Sequence, residues 1–147
     1  MFHIDTIRGK DKPGLLHLEE ALATFPKLDF IGHGPGWWAS ISGDIESLGG
    51  YPEGEVVSGG AIDKLMDKYP NIYGDLSAGS GNNAIARDPE FGREFLIRRQ
   101  DRICFGTDYL APEQAVPQFA TLEQMDLPLD VQEKIFRGNA IKILGLA

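Results

Sequence analysis

Cysteine is almost missing from this sequence. Cys104 is the only one in 147 residues, which excludes an intrachain disulfide and a cysteine-held zinc knot. The apolar run around it reads as a buried strand, not as a nucleophile's setting. Long apolar stretches are missing too: none approaches the roughly 18 residues of a membrane span. The opening Met1-Phe2-His3-Ile4-Asp5 has neither the basic start nor the apolar core of a signal peptide. Positive charge is in deficit, with 14 Lys and Arg against 22 Asp and Glu and a net charge of -8. An acidic chain without a basic stripe argues against nucleic acid and anionic membrane surfaces as partners. These features point to the cytoplasm. Nucleotide-loop and Walker spacings are absent, and Gly79-Ser80-Gly81 reads as a loop, not a nucleophile elbow.

What is present is ordinary globular composition, 42% hydrophobic and 24% charged, so disorder is not expected. The length suits one domain over residues 1–147. It falls short of the roughly 250 residues of a complete eight-stranded barrel. Four short apolar runs predict strands: Phe2-His3-Ile4, Leu28 to Ile31, Asn71 to Gly74, and Arg102 to Phe105. Helical periodicity lies between them. Leu15, Leu18, Leu22 and Phe25 share one helical face, and Ile62, Leu65, Met66 and Tyr69 share another. Asp88-Pro89 opens a third helix, with Asp88 as cap, Pro89 at the first position and Phe91, Phe95 and Leu96 inward. A fourth is expected after Ala111-Pro112-Glu113. A last one is expected from Asp130, with Glu133 as its capping-box partner and Val131, Ile135, Ile143 and Leu144 as apolar positions. Gly138 marks a bend in it. Strands alternating with helices predict an α/β fold with a parallel sheet.

Three of these strands end alike, on glycine and then a polar group: Gly32-His33, Gly74-Asp75, and Gly106-Thr107-Asp108. Functional groups in parallel α/β folds gather at such C-terminal strand ends. His33 is therefore a candidate catalytic residue, or else a turn histidine bonded to nearby backbone. Asp108 could bind a metal and accept a proton from an attacking water, or merely cap the turn before Ala111. His3 is a candidate metal ligand or a partly buried strand histidine. Asp75 could orient substrate or serve a structural hydrogen bond. The segment from Gly34 to Gly60 holds eight glycines and reads as a long binding loop. Trp37 and Trp38 near its start could wall an apolar or aromatic substrate, or could be core residues. Tyr109 joins them as a substrate-binding candidate. Asp5, Arg8, Ser77, Asn82 and Asn83 are weaker ones, and His17 is expected to be solvated.

The strings Phe30-Ile31-Gly32-His33-Gly34, Asn71-Ile72-Tyr73-Gly74-Asp75-Leu76-Ser77 and Arg102-Ile103-Cys104-Phe105-Gly106-Thr107-Asp108-Tyr109 resemble the sixth, seventh and eighth strands of the amidohydrolase 2 family. The tail from Ile135 to Leu146 resembles that family's terminal helix. This resemblance covers nearly the whole chain. It implies the C-terminal half of a (β/α)8 TIM barrel: four parallel strands alternating with helices, plus a C-terminal helix. It implies a metal site in which His3 is a ligand, His33 activates water or substrate, and Asp108 binds metal and moves protons. Zinc is the expected ion and manganese the second choice. The chemistry implied is hydrolysis of C–N or C–O bonds, or decarboxylation of the aminocarboxymuconate-semialdehyde decarboxylase kind. The family's first-strand His-x-His pair has no counterpart here. A small-molecule substrate is therefore expected to need a complementary N-terminal half or a homo-oligomer. The other expectation is a non-catalytic half-barrel that binds or assembles. A half-barrel is also expected to expose two sheet edges and an apolar inner face.

Overall fold

A computed structural model of the chain describes residues 1–6 and 11–146. The elements run β1 (Phe2–His3), α1 (Leu16–Thr24), β2 (Phe30–His33), α2 (Pro35–Ala39), α3 (Ala61–Lys68), β3 (Ile72–Asp75), α4 (Ala78–Ala86), α5 (Pro89–Arg98), β4 (Ile103–Cys104), α6 (Gln118–Gln124) and α7 (Leu129–Glu133). A π-helical turn (Lys134–Gly138) then leads into α8 (Asn139–Leu144). The strands pair in parallel in the order β1-β2-β3-β4, so each strand lies beside its predecessor. That is the succession of a βα barrel, here as an open four-stranded sheet.

The register aligns His3 with His33, Gly32 with Gly74, and Asp75 with Cys104. Side chains alternate along a strand. One face therefore carries His3, Ile31, His33, Tyr73, Asp75 and Cys104, and the other carries Phe2, Phe30, Gly32, Ile72, Gly74 and Ile103. The second face meets the helices. Its core is built from Trp37, Trp38, Leu22, Ile62, Ile85 and Phe95 among others. Gly32 and Gly74 are small because the two indoles lie on them. A Cβ at Gly32 would stand 2.4 Å from Trp37 Cδ2, and one at Gly74 would stand 3.0 Å from Trp38 Cη2.

The helical stripes fold largely as their periodicity predicts. Leu15, Leu18 and Leu22 are buried, as are Ile62, Leu65 and Met66. Phe25 is the exception. It follows the last residue of α1, where the backbone leaves the helix, and its ring is exposed. Asp88 caps α5 by accepting from the Phe91 amide at 3.1 Å, with Pro89 in the first turn.

The C-terminal region departs further from expectation. The helix expected soon after Glu113 begins at Gln118. α7 starts at Leu129 behind Pro128, without a side-chain cap, so Asp130 is a first-turn acid and forms no capping box with Glu133. The bend expected at Gly138 is a π-turn, the usual way of absorbing one extra residue in a helix. Leu144 is exposed.

The β4 edge of the sheet is taken up by the C-terminal segment. At β4, Gly74 N bonds Arg102 O and Leu76 N bonds Cys104 O, which turns the polar backbone groups of Ile103 and Phe105 away from β3. The C-terminal segment takes them up. Phe105 N donates to Ile135 O at 2.8 Å, and Asn139 Nδ2 donates to Ile103 O at 2.7 Å. The β4 edge is thus covered where an open one was expected. Nor is the inner face apolar and bare: Tyr73 and Cys104 are buried, and the Arg102 guanidinium lies 5.5 Å from the Tyr73 ring centre.

Candidate active site

β2 and β3 deliver the most closely bonded part of the candidate site. Their register places His33 beside Asp75 at the C-terminal ends of two neighbouring strands, and His33 Nδ1 lies 3.1 Å from Asp75 Oδ2. Asp75 is buried. A buried carboxylate needs partners, and three groups supply them. Ser77 Oγ donates to Asp75 Oδ2 at 2.5 Å, the Ser77 amide donates to Oδ1 at 3.1 Å, and His33 completes the set. Ser77 Oγ also lies 3.1 Å from His33 Nδ1. The aspartate is anchored from beneath as well, since Trp38 Nε1 donates to its carbonyl oxygen at 2.8 Å.

The electrostatics follow from this geometry. The Asp75 hydrogen bond raises the His33 pKa, burial opposes it, and the charges of Asp75 and Asp108 add to the rise. Burial pushes the Asp75 carboxyl up. The hydrogen bonds from His33 and Ser77 together outweigh it and hold the pKa below the usual range. The pair is an oriented imidazole with a buried counter-charge. Nδ1 keeps its proton toward Asp75, so Nε2 is the nitrogen left for chemistry. Ser77 and Asp75 both approach the same ring nitrogen. A serine nucleophile would need the opposite one, so this is not a Ser-His-Asp hydrolase triad.

The flanking candidates are held differently. His3 lies at the end of β1, half exposed, with Nε2 3.2 Å from Asp5 Oδ2. Its ring centre is 5.2 Å from that of His33. Gly34, at φ 93°, makes room for it: a Cβ there would stand 2.6 Å from His3 Cε1. Asp108 follows β4 with a left-handed backbone, φ 49°. Its carbonyl accepts from Gln114 Nε2 at 2.8 Å. Tyr109 is exposed, and its hydroxyl accepts from the Glu113 amide at 3.1 Å.

Trp37 and Trp38 require a correction. Both are fully buried between the sheet and the helices, so they are core residues and not the walls of a substrate pocket. Flat indoles fit this position because Gly32 and Gly74 leave space on the sheet. Ser77, a weaker candidate in the sequence, bonds directly to Asp75 and approaches His33. Its signal was the spacing Asp75-x-Ser77, which lets an aspartate accept from the amide two residues on. Asn82 and Asn83 lie along α4, bonded to Thr121 and to the Pro52 carbonyl. His17 is exposed and bonds to Asp11. Arg8 lies outside the described residues.

The donors here are right in kind for zinc or manganese, since they are imidazole and carboxylate. They are too few in one place. Among the described residues, no three His, Cys, Asp or Glu side chains converge as a metal cluster, and His3 is turned to Asp5. These residues alone do not fit a resident divalent ion.

An amidohydrolase family model matches residues 9–146. No curated protein and no solved structure matches the chain. His33, Asp75, Ser77 and Asp108 fall inside the matched span. His3 lies before it, so its candidacy rests on its strand-end position beside His33.

Proposed function

The chain belongs to the amidohydrolase family, and on that premise we propose that it supplies the acid–base half of a hydrolase site for a small-molecule substrate. The observation carrying this reading is the 3.1 Å bond between His33 Nδ1 and the buried Asp75 carboxylate. In the proposed reaction, water attacks the carbonyl carbon of a C–N or C–O substrate. Asp108 takes the proton of that water. Protonated His33, its positive charge favoured by Asp75, stabilises the developing oxyanion through Nε2–H and then protonates the leaving nitrogen or oxygen. Tyr109 is proposed as a substrate contact on the exposed turn beside Asp108.

Members of the family usually bind a divalent metal. We assign zinc, with manganese second, to a completed site in which His3 and Asp108 are this chain's donors. A complementary N-terminal half or a second copy supplies the remainder, in the cytoplasm. No described helix is long and apolar enough to cross a membrane.

The test is to assay the chain for ester and amide hydrolysis, alone and mixed with a complementary half, with zinc or manganese added. His33→Gln is expected to lower kcat by about 10²- to 10⁴-fold, the usual contribution of a general acid–base group. An unchanged rate rejects the assignment. The raised His33 pKa favours one second reading, in which His33 protonates the carbanion left by loss of carbon dioxide. Carbon dioxide release without hydrolysis would establish that reading. A chain that binds no metal and turns nothing over, alone or complemented, is an assembly module.

A further inference from the structure

Two turns near the site hold residues other than glycine in the left-handed conformation. Ala78, just after Ser77, has φ 62°, and Asp108 has φ 49°. Such a backbone is unfavourable for an L-residue and persists only where its surroundings impose it. In both cases the surroundings include a glutamine from the segment that follows β4. Gln118 is buried, and its Nε2 donates to Leu76 O at 3.0 Å and to Ala78 O at 2.6 Å. Gln114 is half-buried. Its Nε2 donates to Asp108 O at 2.8 Å, and its Oε1 accepts from the Leu110 amide at 2.9 Å. Thr121 ties the same segment to α4 through Asn82 at 2.7 Å.

We propose that Gln114 and Gln118 are positioning residues: from one segment they brace the turns after β4 and β3, fixing Asp108 relative to the His33–Asp75–Ser77 cluster. The assignment of purpose rests on taking those four residues as the site. The geometric coupling does not, and its test reads geometry without turnover. A missing activity would therefore count against the proposed function and leave this inference untouched.

The logic is one of satisfied backbone groups. The carbonyls of Leu76 and Ala78 flank Ser77, whose amide and hydroxyl both hold Asp75. With Gln118 gone, the Leu76 carbonyl loses this donor, the Ala78 carbonyl keeps only its bond within α4, and the Ala78 turn loses a side-chain restraint. Ser77 is then free to leave Asp75, and Asp75 is no longer confined against His33. At β4, loss of Gln114 frees the Asp108 turn to relax toward negative φ, which swings the carboxylate away from His33.

The experiment is NMR on the full chain. Gln118→Met removes the amide and keeps most of the volume. It is expected to speed hydrogen exchange at the Ser77 amide about tenfold or more, the effect of losing one net hydrogen bond, and to erase the Nδ1–H tautomer signature of the His33 ring. Amides in α1 should not change. Gln114→Ala is expected to erase the positive-φ coupling and Cα shift at Asp108. Adding Ala78→Gly to Gln118→Met, which gives the turn a residue at ease there, should restore Ser77 protection. If Gln118→Met alone fails to fold, the same double variant decides: recovery of the fold supports the inference, and no recovery overturns it. Folded variants with parental Ser77 exchange, His33 tautomer and Asp108 coupling also overturn it.

Discussion

The middle of the sheet and its flanks treat their polar residues differently. On β2 and β3, half-buried His33 and buried Asp75 lie against each other, share Ser77, and rest on a tryptophan that bonds the aspartate's backbone. At the flanks, His3 on β1 is exposed, and Asp108, which follows β4, is half-buried. One is turned to a neighbouring aspartate, and the other sits on a strained turn. The bonding around Asp75 and His33 Nδ1 is completed by this chain alone, which leaves His33 Nε2 for chemistry. The flanking pair offers donor atoms that the described residues do not gather into a metal cluster. A functional group completed within its own fold is also a stability element, while one held for something outside the fold contributes little stability or costs some. The variants below separate these two kinds.

The largest effect is expected at the centre. Asp75→Ala would deprive half-buried His33 and buried Ser77 of their shared acceptor and should destabilise the fold by about 3 kcal/mol, as breaking a largely buried charged pair does. His3→Ala removes a half-exposed ring and should stay within about 0.5 kcal/mol. Urea titration of both variants checks the contrast, and equal losses would break it.

Next is the covered edge of β4. Asn139 Nδ2 donates to both Gln100 O and Ile103 O, so Asn139→Ala should cost about 2 kcal/mol through two unmet carbonyls. It should also reopen the β4 edge to pairing between chains. Light scattering of the variant against the parent reads that consequence; a variant that loses stability and stays dispersed would show the edge to be protected by other means.

The central pair should also set a pH window. His33 has a folded pKa above its ordinary 6.5. Its contribution is complete below 6.5 and declines as pH rises through the folded value. Asp75 has a folded pKa below its ordinary 3.8. Its contribution is complete above 3.8 and declines as pH falls through the folded value. The pair therefore stabilises most between about pH 4 and 6.5. Denaturation across pH should show a plateau there that Asp75→Asn flattens, whereas His3→Ala leaves it in place.

Much of this arrangement was legible in the residues. The apolar runs place all four strands, and periodicity places the buried faces of α1 and α3. The shared glycine-polar endings even contain the β2–β3 register, because aligning Gly32 with Gly74 sets His33 beside Asp75. What could not be read depends on contacts between elements. Gly79-Ser80-Gly81 looks like a loop because glycine is a poor helix former. It is helical in α4, where small residues let the helix lie close to the chain before it: a Cβ at Gly81 would stand 2.2 Å from Leu76 O. The two tryptophans were ambiguous because exposure is decided by which sheet face their helix covers. The glutamines were invisible as site elements, since only the fold brings Gln118 to carbonyls 40 and 42 residues away.

The smallest expected effect is the sharpest test of the contrast, because its sign reverses. At Asp108 the backbone has φ 49°, a conformation that glycine adopts freely and that aspartate tolerates at some cost. Nothing in the geometry of that turn needs the carboxylate. The bonds that hold it run through the backbone of Asp108 and Leu110 to Gln114. Asp108→Gly should therefore relieve strain and raise stability by about 0.5 kcal/mol, after the greater freedom of glycine in the unfolded chain is set against it. The same change removes one of the charges that raise His33, so the His33 pKa should fall. A more stable protein with a less basic His33 would mean that aspartate stands at this turn for its charge and not for the fold. A destabilised Asp108→Gly would place the residue with Asp75 among the structural pairs, and the distinction between centre and flank would fail at β4.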